Sequence, residues 1–213
     1  MSIGIIFAII TILFFGSWAV PTKALKIGST PQAFWLTVGH LLISTIVFLF
    51  VVQKISLANA IGPFIAGVFW AIGITLGYVG IKNLGITRAL SLWIPVVIIT
   101  SALWGLLFFR EAWLLSPIKL TITIISILLL AIAALVVVAS SKGEKALGNI
   151  KLGIFASLTL GIIHGSFFVP LKTSSLPIFV TFLPMTIGMV LTMILISFFK
   201  KVKLSYGLFS IAR

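Results

Sequence analysis

The chain has 213 residues, of which 61% are hydrophobic and only 8% are charged. Soluble domains carry about 25% charged residues, so this chain cannot cover a water-facing surface and its solvent must be lipid. The formal net charge is +13, but the Lys and Arg residues lie between apolar runs. That pattern argues against nucleic acid as a partner and favours loops beside anionic headgroups. The chain contains no Cys, which excludes disulfides and thiolate metal sites.

Seven apolar runs are long enough to cross a bilayer, whose core of about 30 Å requires about 20 helical residues. The first run lacks a basic start and a small-residue cleavage site, so we interpret it as a spanning helix and not as a signal peptide. The sequence therefore predicts an all-α, polytopic membrane helix bundle. The predicted spans are Ile3–Pro21, Gln32–Val52, Ala58–Ile81, Ala89–Phe109, Ile118–Ser140, Leu152–Leu171 and Ile178–Phe199.

A segment near the start of the chain returns in its second half. Gly16-Ser17-Trp18-Ala19-Val20-Pro21-Thr22-Lys23 reappears 149 residues later as Gly165-Ser166-Phe167-Phe168-Val169-Pro170-Leu171-Lys172. Repeated hydrophobic halves are typical of secondary transporters. The same offset, without a gap, pairs Gly4 with Gly153, Thr37 with Thr186, Gly39 with Gly188, Leu42 with Leu191, Lys54 with Lys203 and Ser56 with Ser205.

The first copy of the repeat contains five predicted helices. Because five is odd, the second copy must enter the membrane from the opposite face, which predicts an inverted repeat with a pseudo-two-fold axis in the membrane plane. We assign residues 1–141 to the first five-helix repeat, residues 142–151 to the loop between repeats and residues 152–213 to a partial second repeat. Since the first copy ends near Ser140, the offset of 149 places the end of a complete second copy near residue 289. We therefore expect ten helices in all and interpret the chain as truncated at its C-terminus.

The loop charges are unevenly divided between the two membrane faces. Four Lys and Arg residues lie on the face of the N-terminus and ten lie on the other face. The positive-inside rule then predicts an N-terminus outside the cell.

Carboxylates are scarce, which narrows the chemistry available to the chain. The two carboxylates, Glu111 and Glu144, fall at helix ends or in loops. Transporters driven by protons or cations often keep an acidic residue inside the bilayer. The predicted spans contain no acidic residue, which favours a neutral or anionic solute. The same scarcity argues against an intramembrane hydrolase, and we expect neither an enzyme nor a bound metal or cofactor.

The repeated Gly-Ser-x-x-Val-Pro-x-Lys element ends the first helix of each half. Pro21 and Pro170 each remove a backbone hydrogen bond and should break or kink the helix. Lys23 and Lys172 could then face a polar cavity, and broken helices at matching positions of two halves are the best sequence indication of a transport site. The alternative is helix packing followed by a Lys that extends to the interface.

Several side chains within or beside the spans could contact a solute. His40 and His164 could bind a hydroxyl group or relay a proton, or could simply bond to a neighbouring helix. Aromatic rings suit the apolar C–H faces of sugars, and we retain Trp18, Trp35 and Trp93 as candidates because they lie near the broken helix and the helix starts. We assign Trp70 and Trp104 to interfacial belts or packing. Asn83 precedes the fourth span and could contact solute or cap a loop.

Two motifs resemble a known group of transporters. The run from Phe15 to Lys23 is similar to the first helix of the glucose/ribose porter group of the drug/metabolite transporter superfamily. The runs from Gly85 to Trp93 and from Trp104 to Glu111 are similar to that group's fourth helix and its closing Glu. The resemblance implies ten helices in two inverted halves and a sugar as solute. Members of the superfamily are usually drawn with the N-terminus inside, so orientation stays open.

The sequence therefore predicts a secondary transporter in the cell membrane that moves a small neutral polar solute, with a sugar expected, by alternating access. Trp18, Trp35 and Trp93 would stack on the sugar ring. His40, Asn83 and His164 would bind its edge, and Pro21, Lys23, Pro170 and Lys172 would gate opposite mouths. An exporter of amino acids, drugs or other metabolites, or a non-transporting membrane scaffold, remain as alternatives. The expected partners are the solute and membrane lipid, and pairing into a homodimer is left open.

Overall fold

The structure is a computed structural model, and it describes residues 3–17, 28–51, 55–140, 147–174 and 176–202. The α-helices of these residues are α1 (Ile3–Ser17), α2 (Ser29–Val51), α3 (Leu57–Leu84), α4 (Ile86–Leu103), α5 (Pro117–Ser140), α6 (Ile150–Ser166), α7 (Phe168–Lys172) and α8 (Ile178–Phe199). A π-helical turn, Trp104–Phe108, continues α4, and a 3₁₀ turn, Glu111–Leu114, follows it. The prediction of an all-α membrane helix bundle is confirmed.

Six helices of the described residues have the length and apolar composition to cross a membrane: α2, α3, α4 with its π-helical turn, α5, α6 together with α7, and α8. The described part of α1 is 15 residues long, and residues 18–21 of the predicted first span lie outside the described residues. The other predicted spans agree with observed helices to within a few residues. The chain is a multi-pass membrane protein.

Side chains and a glycine define where two central helices begin and end. Ser56 precedes α3, and its Oγ accepts a hydrogen bond of 3.3 Å from the backbone N–H of Asn59. Asn149 caps α6 in the same way, with 3.1 Å from its Oδ1 to the N–H of Leu152. Gly85 has φ of +85°, a left-handed conformation that L side chains rarely adopt, and it turns the chain directly from α3 into α4.

The helix α3 lies at the centre of the bundle, where it packs on α2, α4, α6, α7 and α8. Lipid supplies no hydrophobic driving force between helices, so close packing at small residues and hydrogen bonds between helices hold them together. A Cβ atom on Gly67 of α3 would overlap the Met185 carbonyl, and one on Gly188 of α8 would overlap the Phe64 carbonyl. The backbones of α3 and α8 are therefore in direct contact.

The crossing of α6 and α4 uses the Gly161-x-x-x-Gly165 pair. A Cβ atom on Gly161 would overlap the Val96 side chain, and one on Gly165 would overlap the side chain of Thr100. The pair therefore allows α6 and α4 to pack closely. The helix α5 has no buried residue in its spanning window, which leaves it at the lipid-facing edge of the described bundle.

The helices α2 and α8 carry residues of the predicted repeat and pack against each other. The Thr37 hydroxyl donates to the Phe34 carbonyl at 2.7 Å. At the position 149 residues later, the Thr186 hydroxyl donates to the Leu183 carbonyl at 3.0 Å. The local hydrogen bond thus recurs at the predicted offset, while the inverted arrangement of whole halves stays a prediction.

Candidate functional site

A cavity of about 480 Å³ lies halfway along the helices. His40 is the middle residue of α2, and Trp70 lies at the middle of α3. The volume falls within the range of about 300–1,000 Å³ that is typical of small-molecule sites. None of the described lining residues carries a formal charge; they are Ile10, Thr11, Phe14, Leu36, His40, Trp70, Ile74, Trp93, Leu160 and His164.

Three aromatic side chains from three helices line the cavity in contact with one another, and we call them the His–Trp–His cluster: His40, Trp70 and His164. The His40 ring meets the Trp70 indole edge-on, with 5.0 Å between centroids. The His164 ring stacks on the same indole, with 5.7 Å between centroids and an interplanar angle of 19°. One indole therefore joins the two imidazoles into a single site.

Both imidazoles are oriented by backbone carbonyls. His40 Nδ1 lies 2.8 Å from the Leu36 carbonyl oxygen, one helical turn earlier in α2. His164 Nε2 lies 3.0 Å from the Trp70 carbonyl oxygen, across the contact between α6 and α3. Each ring thus uses one nitrogen to hold its position and keeps the other nitrogen for a different partner.

Glycines of α3 provide the space for these rings. A Cβ atom on Gly73 would overlap the His164 imidazole. A Cβ atom on Gly77 would lie 3.3 Å from the Trp93 ring and 3.4 Å from the Leu160 side chain. The Gly73-x-x-x-Gly77 pair therefore does more than allow helices to approach, because it admits the side chains that line the cavity.

Of the solute-binding residues predicted from sequence, the structure brings His40, Trp93 and His164 together at the cavity. Trp93 is buried, with 5% of its surface exposed. Trp18, a further predicted contact, lies outside the described residues, as do the predicted gating residues Pro21 and Lys23.

Trp35 and Asn83 lie elsewhere. Trp35 is half-buried and packs edge-on against Phe34; successive helical residues are rotated by about 100°, so it does not share the face of the cavity-lining Leu36. Asn83 is in the last turn of α3, where its Nδ2 donates to the Val79 carbonyl at 2.8 Å. Its Oδ1 accepts the Asn149 N–H at 2.8 Å, so the observed role of Asn83 is to join two ends of helices.

Trp70 was predicted to belong to an interfacial belt or to helix packing, yet it lies at the centre of the cluster. A signal was present, since Leu36 and His40, Trp70 and Ile74, and Leu160 and His164 are all spaced by four residues and line one cavity. That spacing places two side chains on one helix face. It is frequent in any apolar helix, however, and could not single out Trp70 without the tertiary contacts.

The break predicted in the second repeated element is observed. The helix α6 ends at Ser166 and α7 begins at Phe168. Pro170 has no N–H to donate to the Ser166 carbonyl four residues earlier, which explains why the helix is interrupted there. Lys172 is the last residue of α7 and lies at one end of the bundle.

At that end, Lys172 forms an ion pair with Glu111, and its Nζ lies 4.2 Å from the centroid of the Phe109 ring. The Trp104 indole N–H donates to Ser166 Oγ at 2.8 Å, and the Ser101 hydroxyl donates to the Gly165 carbonyl at 3.2 Å. The run from Trp104 to Glu111 therefore packs directly against the second copy of the repeated element.

The π-helical turn places Glu111 for this contact. The Phe109 N–H donates to the Trp104 carbonyl at 3.0 Å, five residues earlier, and Arg110 takes a left-handed conformation with φ of +55°. A Cβ on Gly105 would lie 2.8 Å from Glu111 Oε2, so Gly105 leaves room for the carboxylate. Insertions of this kind in helices are frequent at functional sites.

The described residues contain no group of three or more His, Cys, Asp or Glu side chains that could hold a metal ion. Glu111 is the carboxylate of the described part of the chain, and Glu144 lies outside it. The arrangement can hold a neutral, hydroxylated small molecule between imidazole nitrogens and aromatic surfaces.

Comparison with known proteins identifies the family of the chain. The profile of the family described as "Sugar transport protein" matches residues 6–209 of the chain. The chain is 25% identical over 189 residues to "Glucose uptake protein GlcU" of Bacillus subtilis (strain 168), which covers 87% of this chain and 65% of that protein. It is 26% identical to "Probable glucose uptake protein GlcU" of Bacillus cereus, over 91% of this chain and 68% of that protein.

A protein of Priestia megaterium, also named "Probable glucose uptake protein GlcU", is 25% identical over 91% of this chain and 68% of its own length. The chain thus spans about two thirds of the length of these curated relatives. No solved structure matches it. Because the family profile covers nearly the whole chain, the chain belongs to the sugar transport protein family.

Proposed function

We propose that this chain is a secondary transporter that moves a small neutral polar solute, with a sugar as its substrate, by alternating access. The observation that carries the proposal is the cavity at half the depth of the bundle, whose described lining combines two imidazoles and two indoles with no charged side chain. Transporter sites typically lie near the bilayer midplane. Membership of the sugar transport protein family supports the same reading.

Different cavity residues would contact different parts of the sugar. The C–H face of a sugar ring would pack on Trp93, while His40 and His164 would bind hydroxyl groups at its edge. A hydroxyl moved from water to an apolar site costs about 1–3 kcal/mol if it finds no partner, so imidazoles at this depth favour hydroxylated solutes over hydrocarbons of similar size. Trp18 stays a proposed contact, whereas Trp35 and Asn83 lie away from the cavity and are not part of this binding set.

Lys172 would gate one mouth together with Glu111, with Pro170 providing the break in the helix. The Lys172 and Glu111 side chains are 51% and 47% exposed, and ion pairs of such exposure are worth about 0–1 kcal/mol. Such a pair can open within a transport cycle at little cost. Pro21 and Lys23, in the first copy of the repeat, would serve the opposite mouth.

Uptake of radiolabelled D-glucose and L-rhamnose into proteoliposomes tests the proposal. We expect uptake of at least one of them, and competition by unlabelled sugars but not by amino acids. Competition by amino acids alone would favour the exporter alternative. Correctly inserted protein that gives no flux and purifies with a stable partner would favour a scaffold.

A further inference from the structure

We propose that the cavity selects its ligand by hydrogen-bond direction: two hydroxyl groups of the solute must donate hydrogen bonds to the free imidazole nitrogens of His40 and His164. This inference rests on the proposed function and specifies the chemistry of the same site. It predicts which substrate analogues bind and which do not.

The proton position on His40 follows from its backbone contact. Nδ1 lies 2.8 Å from the Leu36 carbonyl oxygen. A carbonyl oxygen only accepts hydrogen bonds, so Nδ1 carries the proton. A neutral imidazole has one N–H, which makes Nε2 an acceptor. No hydrogen bond to Nε2 is found within the described part of the chain.

His164 has the opposite tautomer by the same reasoning. Its Nε2 lies 3.0 Å from the Trp70 carbonyl oxygen and must donate to it, which makes Nδ1 the acceptor. The ring edge formed by Cδ2 and Nε2 faces Gly73 of α3. Nδ1 therefore lies on the ring edge that points away from Gly73, and none of the described residues donates to it.

The described surroundings of the two rings contain no carboxylate. A charged imidazolium in an apolar site requires a counter-charge, and none of the described lining residues carries a carboxylate. Glu111, the described carboxylate, is paired with Lys172 at the end of the bundle. The two imidazole rings flank one indole, at centroid distances of 5.0 and 5.7 Å from Trp70, and both line the same cavity, so a single small solute would meet both rings.

Fluorinated sugars measure hydrogen-bond direction, because a C–F group can accept weakly but cannot donate. Binding would be followed by quenching of tryptophan fluorescence in the purified, membrane-reconstituted protein, with D-glucose as the reference probe. The 2-, 3-, 4- and 6-deoxy analogues would each be compared with the matching deoxyfluoro analogue. At two positions we expect both analogues to bind about tenfold more weakly than D-glucose, the loss typical of one hydrogen bond with a buried partner.

Two variants assign those positions. His40→Phe and His164→Phe retain an aromatic ring but remove the acceptor, so each should bind D-glucose and one of the two sensitive deoxy analogues equally well. Such equalisation is the signature of a direct pairwise interaction, and a merely structural role would not produce it. Trp113→Phe is the control, because Trp113 is 87% exposed outside the cavity; it should keep the wild-type preferences.

The outcomes separate the two proposals. If neither D-glucose nor L-rhamnose binds, the proposed sugar-binding function is wrong and this inference falls with it. If D-glucose binds and the deoxyfluoro analogues bind as well as D-glucose at every position, the sugar site stands but no hydroxyl needs to donate to it, and this inference is wrong. If the deoxyfluoro analogues lose affinity but neither His variant removes the loss, the acceptors are not His40 and His164.

Discussion

Positions 149 residues apart share sequence but differ in surroundings, as the helices α2 and α8 demonstrate. Thr37 and Thr186 make the same local hydrogen bond in the two helices. Gly188 touches the backbone of α3, whereas a Cβ on Gly39 would meet none of the described residues within 4 Å. The position of His40, which lines the cavity, is occupied in α8 by Met189, a buried residue of the core.

The repeat in sequence therefore preserves local backbone geometry more than the role of each side chain. Intrahelical hydrogen bonds depend on residues three or four apart and recur wherever the sequence recurs. The surroundings of a side chain depend on which neighbouring helix it faces, and the neighbours of α2 differ from those of α8.

The two glycines should respond oppositely to the same substitution. Gly188→Ala should lower the free energy of unfolding by about 3 kcal/mol, because the new Cβ overlaps the Phe64 carbonyl and the rigid backbone of α3 must move. Gly39→Ala should be neutral or stabilising by up to about 1 kcal/mol, since Ala is the better helix former. Thermal unfolding of the detergent-solubilised protein would measure both, and equal losses would contradict the difference in packing.

Substitutions at His40 and Met189 should affect different properties, uptake at His40 and stability at Met189. His40→Ala removes a proposed solute contact, and we expect D-glucose uptake to fall about 30-fold, equivalent to about 2 kcal/mol, with little change in unfolding temperature. Met189→Ala leaves a void in the core and should cost about 2 kcal/mol of stability while the KM of the remaining folded protein is unchanged. Loss of substrate affinity in the Met189 variant alone would reverse this assignment.

The ion pair between Lys172 and Glu111 should tolerate an exchange of the two charges. Glu111→Lys places two cations together, and we expect uptake to fall about fivefold, equivalent to about 1 kcal/mol. The double variant Glu111→Lys with Lys172→Glu should recover most of the uptake, because the pair is then restored in reverse. Recovery should weaken at high salt, which screens exposed charges. No recovery in the double variant would mean that each residue acts through other contacts.

Thr37 and Thr186 should differ by the smallest amount. Thr186 Oγ also lies 2.6 Å from Ser44 Oγ of α2, so it contributes a hydrogen bond between helices that Thr37 does not make with any described residue. Thr186→Val should therefore destabilise the protein by about 0.6 kcal/mol more than Thr37→Val, the average value for such bonds in membranes. Combining Thr186→Val with Ser44→Ala should add nothing further. Equal effects of the two single variants would remove this difference between the copies.

Much of the candidate site could be predicted residue by residue. His40 and His164 were recognisable because a titratable group within an apolar span is costly unless it has a purpose. Lys172 and the break at Pro170 followed from a repeated motif. Trp70 could not be identified, since its role depends on contacts with rings from α2 and α6. Glu111 was expected at a helix end or in a loop, but its pairing with Lys172 joins residues that are 61 positions apart.

The amino-acid sequence alone determined that this is an all-α membrane protein, where most of its helices lie and which residues recur in its two parts. Those properties depend on composition and on local periodicity, because the bilayer demands long apolar helices whose backbone hydrogen bonds are satisfied internally. The tertiary structure alone decided which faces of those helices meet, that Gly73 and Gly77 admit the cavity side chains, and which carbonyls orient the two imidazoles. Such choices depend on backbone approaches between distant segments, and no local pattern of residues encodes them.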